Sequence, residues 1–152
     1  MAQAQVERTF VMVKPDGVRR GLIGEVVRRY EARGLKVVAG KMMRISRELA
    51  EKHYEEHKAK PFFPELERFI TSSPVFAMAL EGRNAVAVVR AMNGATKPWE
   101  AATGTVRGDL ALALTPNVVH ASDSVATAQR ELALYFTEAD YVPYQRVDEE
   151  YL

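Results

Sequence analysis

Thr9-Phe10-Val11-Met12-Val13-Lys14-Pro15-Asp16-Gly17 joins a short apolar, β-branched run to an abrupt stop. A run of that kind predicts a buried strand, and Pro15 with Asp16-Gly17 predicts a turn directly after it. Leu22, Ile23, Val26, Val27 and Tyr30 then recur at helical spacing, with Glu25, Arg28, Arg29 and Glu31 on the opposite face. Gly34 closes that helix. Leu35 to Arg44 returns as a second strand, and Ser46 caps a polar helix reaching about Lys58.

Further on, Lys60-Pro61-Phe62-Phe63-Pro64 breaks the helical ladder. A short helix follows over about Glu65 to Thr71, then a third strand at Val75 to Leu80 and a helix from Asn84 to Met92. Gly94 to Pro116 is rich in loop formers, and a loop of that length in a compact domain is usually functional. Asn117-Val118-Val119-His120 reads as a brief fourth strand, and Asp123 or Ser124 caps a last helix to about Phe136. With the helical insert set aside, the order predicts an α+β class: a ferredoxin-like split β-α-β, a four-stranded antiparallel sheet with helices packed on one face.

The whole chain has 152 residues and 17.0 kDa, the size of one domain spanning 1–152. Its 21 Lys plus Arg balance 20 Asp plus Glu, for a net charge of +1, which argues against a broad nucleic-acid surface. No apolar run approaches a membrane span, and the polar Met1-Ala2-Gln3-Ala4-Gln5 is not a secretory signal. Cysteine is absent, so disulfides, thiolate metal sites and cysteine nucleophiles are excluded. A cytoplasmic enzyme or binding domain is the expectation.

Three histidines can be weighed one by one. His120 lies between the end of a strand and the start of a helix, where helix N–H groups attract anions. A histidine merely hydrogen-bonded within the core explains its local sequence at least as well. His53-Tyr54-Glu55-Glu56-His57 formally matches H-x-x-E-H, a zinc-peptidase spacing. No downstream acidic helix offers the third ligand, and the polar surroundings predict a solvated face, so no zinc is expected. Arg90, Thr96, Arg107 and Asp109, with Lys14, are groups suited to a phosphate site, although surface ion pairing accounts for any one alone. A Walker A motif and the protein-kinase signatures are both missing.

Phe10-Val11-Met12-Val13-Lys14-Pro15-Asp16-Gly17-Val18, Lys60-Pro61-Phe62-Phe63, Gly104-Thr105-Val106-Arg107-Gly108-Asp109 and Asn117-Val118-Val119-His120-Ala121-Ser122-Asp123-Ser124 together resemble the nucleoside diphosphate kinase family. The resemblance runs from about Glu7 to Val147, in the family's order and spacing. It implies ping-pong transfer of the γ-phosphoryl group of ATP, or another nucleoside triphosphate, to nucleoside diphosphates of any base. His120 would be the phosphorylated nucleophile, its imidazole supported by hydrogen bonds from Ser122 and Glu131. Tyr54, Arg90, Thr96 and Arg107 would contact phosphates bridged by Mg²⁺. Lys14 and Asn117 would hold the sugar hydroxyls and the leaving oxygen. Phe62 and Leu114 would sandwich the base. The His53/His57 helix becomes ordinary scaffold, and the family implies a homo-oligomer built from dimers, a hexamer or else a tetramer.

The chain departs from the family pattern at Ala121, where Gly is usual after the histidine, at Thr103, where Pro is usual, and at Leu114-Thr115-Pro116. None of these changes removes a chemical group. Two other classes fit less well. A nucleotide-binding module with little turnover would keep the same pocket and differ in a coupled assay. An RNA-binding domain of this fold would need an RNP-like aromatic string on its sheet, and the sequence has none.

Overall fold

The computed structural model describes residues 5–152, so most of the polar N-terminal stretch lies outside the described residues. Its strands are β1 (Val6–Val13), β2 (Lys36–Met43), β3 (Val75–Arg83) and β4 (Val119–Ala121). The helices are α1 (Pro15–Arg19), α2 (Ile23–Arg33), α3 (Arg47–His53), α4 (Phe63–Thr71), α5 (Ala85–Asn93), α6 (Val106–Leu110) and α7 (Val125–Tyr135). The sheet is antiparallel with order β2-β3-β1-β4, the expected α+β arrangement. No described helix is long and apolar enough to cross a membrane.

Helices cover both faces of the sheet, not the one face that the element order suggested. Val11, Val13, Met78 and Leu80 point into a core with α2 and α5 residues Val26, Tyr30, Ala85 and Val89. Phe10, Met12, Ala77 and Ala79 point the other way, against Ala50 of α3, Ile70 of α4 and Leu132 and Tyr135 of α7. A central strand buried on both faces needs apolar side chains at every position, which is why Thr9 to Val13 shows no alternation.

Several local readings shift for identifiable reasons. Pro15 starts a one-turn helix, because proline at a first helical position costs no hydrogen bond. Phe63 and Pro64 likewise open α4 where a break was expected. The helix capped by Ser46, whose side chain accepts from the Leu49 N–H, ends at His53 and gives way to a 3-10 turn at Glu55–His57. Asn117 and Val118 lie outside β4. Ser124 caps α7, accepting from the Thr127 N–H at 3.1 Å.

Gly34 ends α2 at φ 110°, with the Leu152 side chain packed against it. A β-carbon there is strained by the left-handed backbone and crowded by Leu152. Gly34→Ala should therefore lower stability by about 1–2 kcal/mol in urea denaturation. An unchanged midpoint would show that the turn adapts freely.

Candidate active site

Strand β4 is only three residues long, but its alternation sets up the site. Val119 and Ala121 turn into the α2/α5 core, while His120, paired with Met12 of β1, turns to the opposite face. There α3 and α7 approach. Ala128, Glu131, Leu132 and Tyr135 form the buried stripe of α7 at spacing i, i+3, i+4, i+7, so Glu131 is carried inward with apolar neighbours. Ala50 and His53 do the same for α3.

Glu131 Oε1 accepts from His120 Nε2 at 2.8 Å and from the Ser122 hydroxyl at 2.8 Å. Ser122 thus donates to Glu131, whereas the resemblance implied a hydrogen bond to the imidazole. Burial alone would push the Glu131 carboxyl up. The hydrogen bond and charge of His120, the charge of His53 and the Ser122 hydroxyl outweigh it and bring it down to about 2. Glu131 is therefore a carboxylate, and His120 Nε2 carries the proton it accepts. Nδ1 has no protein partner among the described residues and bears the lone pair when the ring is neutral.

His53 is buried, not solvated, and its ring centroid lies 4.6 Å from that of His120. Its Nδ1 is 2.8 Å from the Tyr135 hydroxyl, and its Nε2 lies 3.4 Å from Glu131 Oε2, too poorly aligned to count as a hydrogen bond. A Tyr135 hydroxyl donating to Nδ1 leaves the ring proton on Nε2, facing Glu131. Burial, helped by the charge of His120, pushes His53 down to about 3 against the pull of Glu131. His53 is neutral at physiological pH. His57, past the end of α3, lies on the cavity wall with Nδ1 2.9 Å from Lys60 Nζ, so the two histidines do not share a helix face.

Two adjoining cavities of about 200 and 360 Å³ open beside His120. The first is lined by Lys14, Tyr54, Arg90, Thr96, Arg107, Asn117 and His120. The second shares several of these and is flanked by Phe62 and Leu114, each half exposed. Every residue singled out for phosphate, sugar or base in the sequence borders one cavity or the other, except Asp109. That carboxylate pairs with Arg29 at 2.9 Å and accepts from the Gly104 N–H, holding the 104–109 segment to α2.

Lys14 and Asn117 form a chain: Lys14 Nζ donates to Asn117 Oδ1 at 2.8 Å, and Asn117 Nδ2 donates to the Thr96 carbonyl at 3.0 Å. Burial, with the charge of Arg107, brings Lys14 down to about 8, and Asp16 offsets part of this. Arg107 is also buried and is lowered to about 10, by burial first and Arg90 second. Its two terminal nitrogens donate to the Gly94 and Val119 carbonyls, while its Nε is buried without a partner. Among the described residues Arg90 reaches only the Ala121 carbonyl, at 3.4 Å. Burial raises Tyr54, whose hydroxyl is likewise unpartnered. Ala121 sits in β4 without a positive φ, so the Gly usual at that position is not required here.

An anion-sized, cationic cavity on a split β-α-β sheet, with a histidine whose one nitrogen is held by a buried carboxylate, defines a phosphate-handling α+β protein. The comparisons make that class specific. The nucleoside diphosphate kinase family model matches residues 7–141, and the chain belongs to that family. A nucleoside diphosphate kinase of Natronomonas pharaonis is 59% identical over 150 residues, 98% of each chain, and one of Methanocorpusculum labreanum 56% over 144, covering 95% of this chain and 97% of the relative. The structure of a halophilic nucleoside diphosphate kinase from Halobacterium salinarum in complex with CDP superposes with a TM-score of 0.94 at 52% identity, covering 97% of this chain and 98% of the other. A transition state mimic of the Borrelia burgdorferi enzyme, with bound vanadate and ADP, gives 0.91 at 41% identity over 95% of each chain.

A histidine kept neutral by burial makes folding weaker in acid. Between its ordinary value of 6.5 and its lowered one, the unfolded chain binds a proton that the folded chain refuses, so stability falls as pH drops through that window. From pH 7.5 to pH 5 the wild type should lose about 2 kcal/mol more than His53→Gln, by urea denaturation at each pH. Equal losses would mean that His53 titrates normally in the fold.

Proposed function

We infer that the chain moves the γ-phosphoryl group of a nucleoside triphosphate to a nucleoside diphosphate, with His120 Nδ1 as the temporary carrier. The observation that carries this is the Glu131 hold on His120 Nε2, which leaves one free imidazole lone pair beside a cavity lined by Lys14, Arg90 and Arg107. The bound CDP of the Halobacterium salinarum relative and the vanadate and ADP of the Borrelia burgdorferi one support nucleotide as the substrate.

In the first half-reaction Nδ1 attacks the γ-phosphorus, the bond to the β,γ-bridging oxygen breaks, and the nucleoside diphosphate leaves with that electron pair. The imidazole becomes cationic, and Glu131 sits at 2.8 Å to stabilise it. A second diphosphate then attacks the phosphorus with a terminal oxygen, and the electron pair of the broken N–P bond returns to Nδ1. Arg90, Thr96, Tyr54 and Arg107, all on the cavity wall, contact the phosphates. Lys14 and Asn117 hold the sugar hydroxyls and the departing oxygen.

Phe62 and Leu114, both apolar and half exposed, receive the base. Stacking accepts any base, because each has a π-face. The cavity walls set Lys14, Arg90, Arg107 and Arg130 against Glu56, Asp123 and a Glu131 committed to His120, so Mg²⁺ would come as part of the nucleotide, held through its phosphates by Arg90, Arg107 and Thr96. There it would supply charge neutralisation on the phosphate oxygens. We further propose a cytoplasmic homo-oligomer built from dimers, a hexamer in preference to a tetramer.

Incubation with γ-labelled ATP should label the protein, with the label lost in acid and kept in base, as phosphoramidates behave. His120→Ala should lose all labelling and turnover while melting as a folded protein. Label that persists in His120→Ala would refute the assignment.

A further inference from the structure

Two non-glycine residues among those described have positive φ: Asn84 at 53° and Val118 at 74°. Asparagine tolerates that region, but a β-branched valine clashes with its own backbone there. Strain of this kind persists only where the surroundings impose it. Val118 lies between two residues of the site, one step after Asn117 and two before His120.

The local hydrogen bonds show how it is imposed. The Val119 N–H donates to the Asn117 carbonyl at 2.9 Å, closing a three-residue γ-turn centred on Val118. The preceding Asn117 N–H donates to the Thr115 carbonyl at 2.9 Å, a second such turn. Residues 14–17 grip this kink from outside. The Lys14 N–H donates to the Val118 carbonyl at 2.8 Å, extending the β1/β4 ladder by one bond. The Val118 N–H donates to Asp16 Oδ2 at 3.0 Å. Gly17 packs beneath, where a β-carbon would stand 3.1 Å from the Val118 carbonyl oxygen.

Asp16 has no contact with the cavity, and its Oδ1 is buried without a partner. Leaving a buried carboxylate oxygen unpaired is costly, so the carboxyl's one bond to the Val118 N–H must matter. Resting on the reading of His120 as the phosphoryl carrier, we propose that Asp16 is a positioning residue for the transfer: it holds Val118 in its left-handed conformation and thereby aims His120 and Asn117 into the cavity. Without that acceptor, Val118 can relax to negative φ, turning the two peptide planes that connect Asn117 to His120. In-line transfer tolerates misplacement of about 1 Å poorly, with losses on the order of a hundredfold.

The test is the single-turnover rate of labelling by γ-labelled ATP, with nucleotide binding and melting temperature measured for each variant. Asp16→Ala should be labelled about ten- to a hundredfold more slowly, with a smaller loss of ADP affinity, because Asn117 is one of several groups that hold the nucleotide. Asp16→Asn keeps an oxygen acceptor and should stay near the wild-type rate. Glycine accepts positive φ without strain, so Asp16→Ala combined with Val118→Gly should recover most of the lost rate. Should Asp16→Ala fail to fold alone, the comparison is made within the Val118→Gly background, where both proteins should fold and be labelled at similar rates. Wild-type labelling speed in Asp16→Ala would overturn the proposal. So would an Asp16→Asn defect as large as that of Asp16→Ala, because the charge beside Lys14 would then be what matters. Absence of recovery in the double variant would overturn it as well. A wild type that takes up no label overturns the His120 reading and the proposal with it, whereas a labelled wild type confines any failure to Asp16.

Discussion

The buried Glu131 carboxylate, accepting from His120 Nε2 at 2.8 Å, is the interaction on which the site depends. It fixes which imidazole nitrogen carries a proton, and so which one would attack in the proposed transfer. Such a carboxylate is tolerable only when hydrogen bonds offset its burial. Ser122 supplies a second hydrogen bond, and a neutral His53 stands behind as an aromatic wall with one N–H facing Glu131. His120 and Ser122 lie in and just after β4, His53 in α3 and Glu131 in α7, so the cluster assembles only when β4, α3 and α7 are docked. Arg130 ties two of them together, donating from α7 to the Lys52 and His53 carbonyls at the end of α3.

The sheet explains why that docking is unambiguous. β1 is central, and the one-residue alternation of β4 against it sends Val119 and Ala121 to one core and His120 to the other face. A slip by one residue would bury His120 among Val26, Tyr30 and Val89 and expose two apolar residues. The same ladder, extended by the Lys14 to Val118 hydrogen bond, brings the end of β1 beside the start of β4. Lys14 and Asn117, 103 residues apart, therefore meet at the cavity.

Much of this was legible in the sequence. The strand at Thr9 to Val13, the caps Ser46 and Gly34, Ser124 as one of two cap candidates, and the α+β class follow from local patterns that tertiary packing reinforced. The residues expected around phosphate, sugar and base line one pair of cavities, with the sole exception of Asp109. What escaped was set by contacts between distant segments. His53 shares a polar helix with four charged residues, and only its i+3 spacing from Ala50 hinted at the buried side. Helices on both faces could be read from the lack of alternation in β1, but element order pointed to one. The strained turn at Val118 has no signature in a stretch that reads as strand, because nothing local announces that Asp16 will hold it. Arg107 looked like a phosphate ligand, and most of its guanidinium proves to be spent on backbone carbonyls.

The central claim is that the Glu131 hold on Nε2 decides which nitrogen reacts. Phosphorus NMR of the phosphorylated protein, denatured in alkali to preserve the bond and compared with the two phosphohistidine isomers, reads this directly. The account predicts a single resonance from phosphate on Nδ1 of His120. Phosphate on Nε2, or on any residue other than His120, would contradict it.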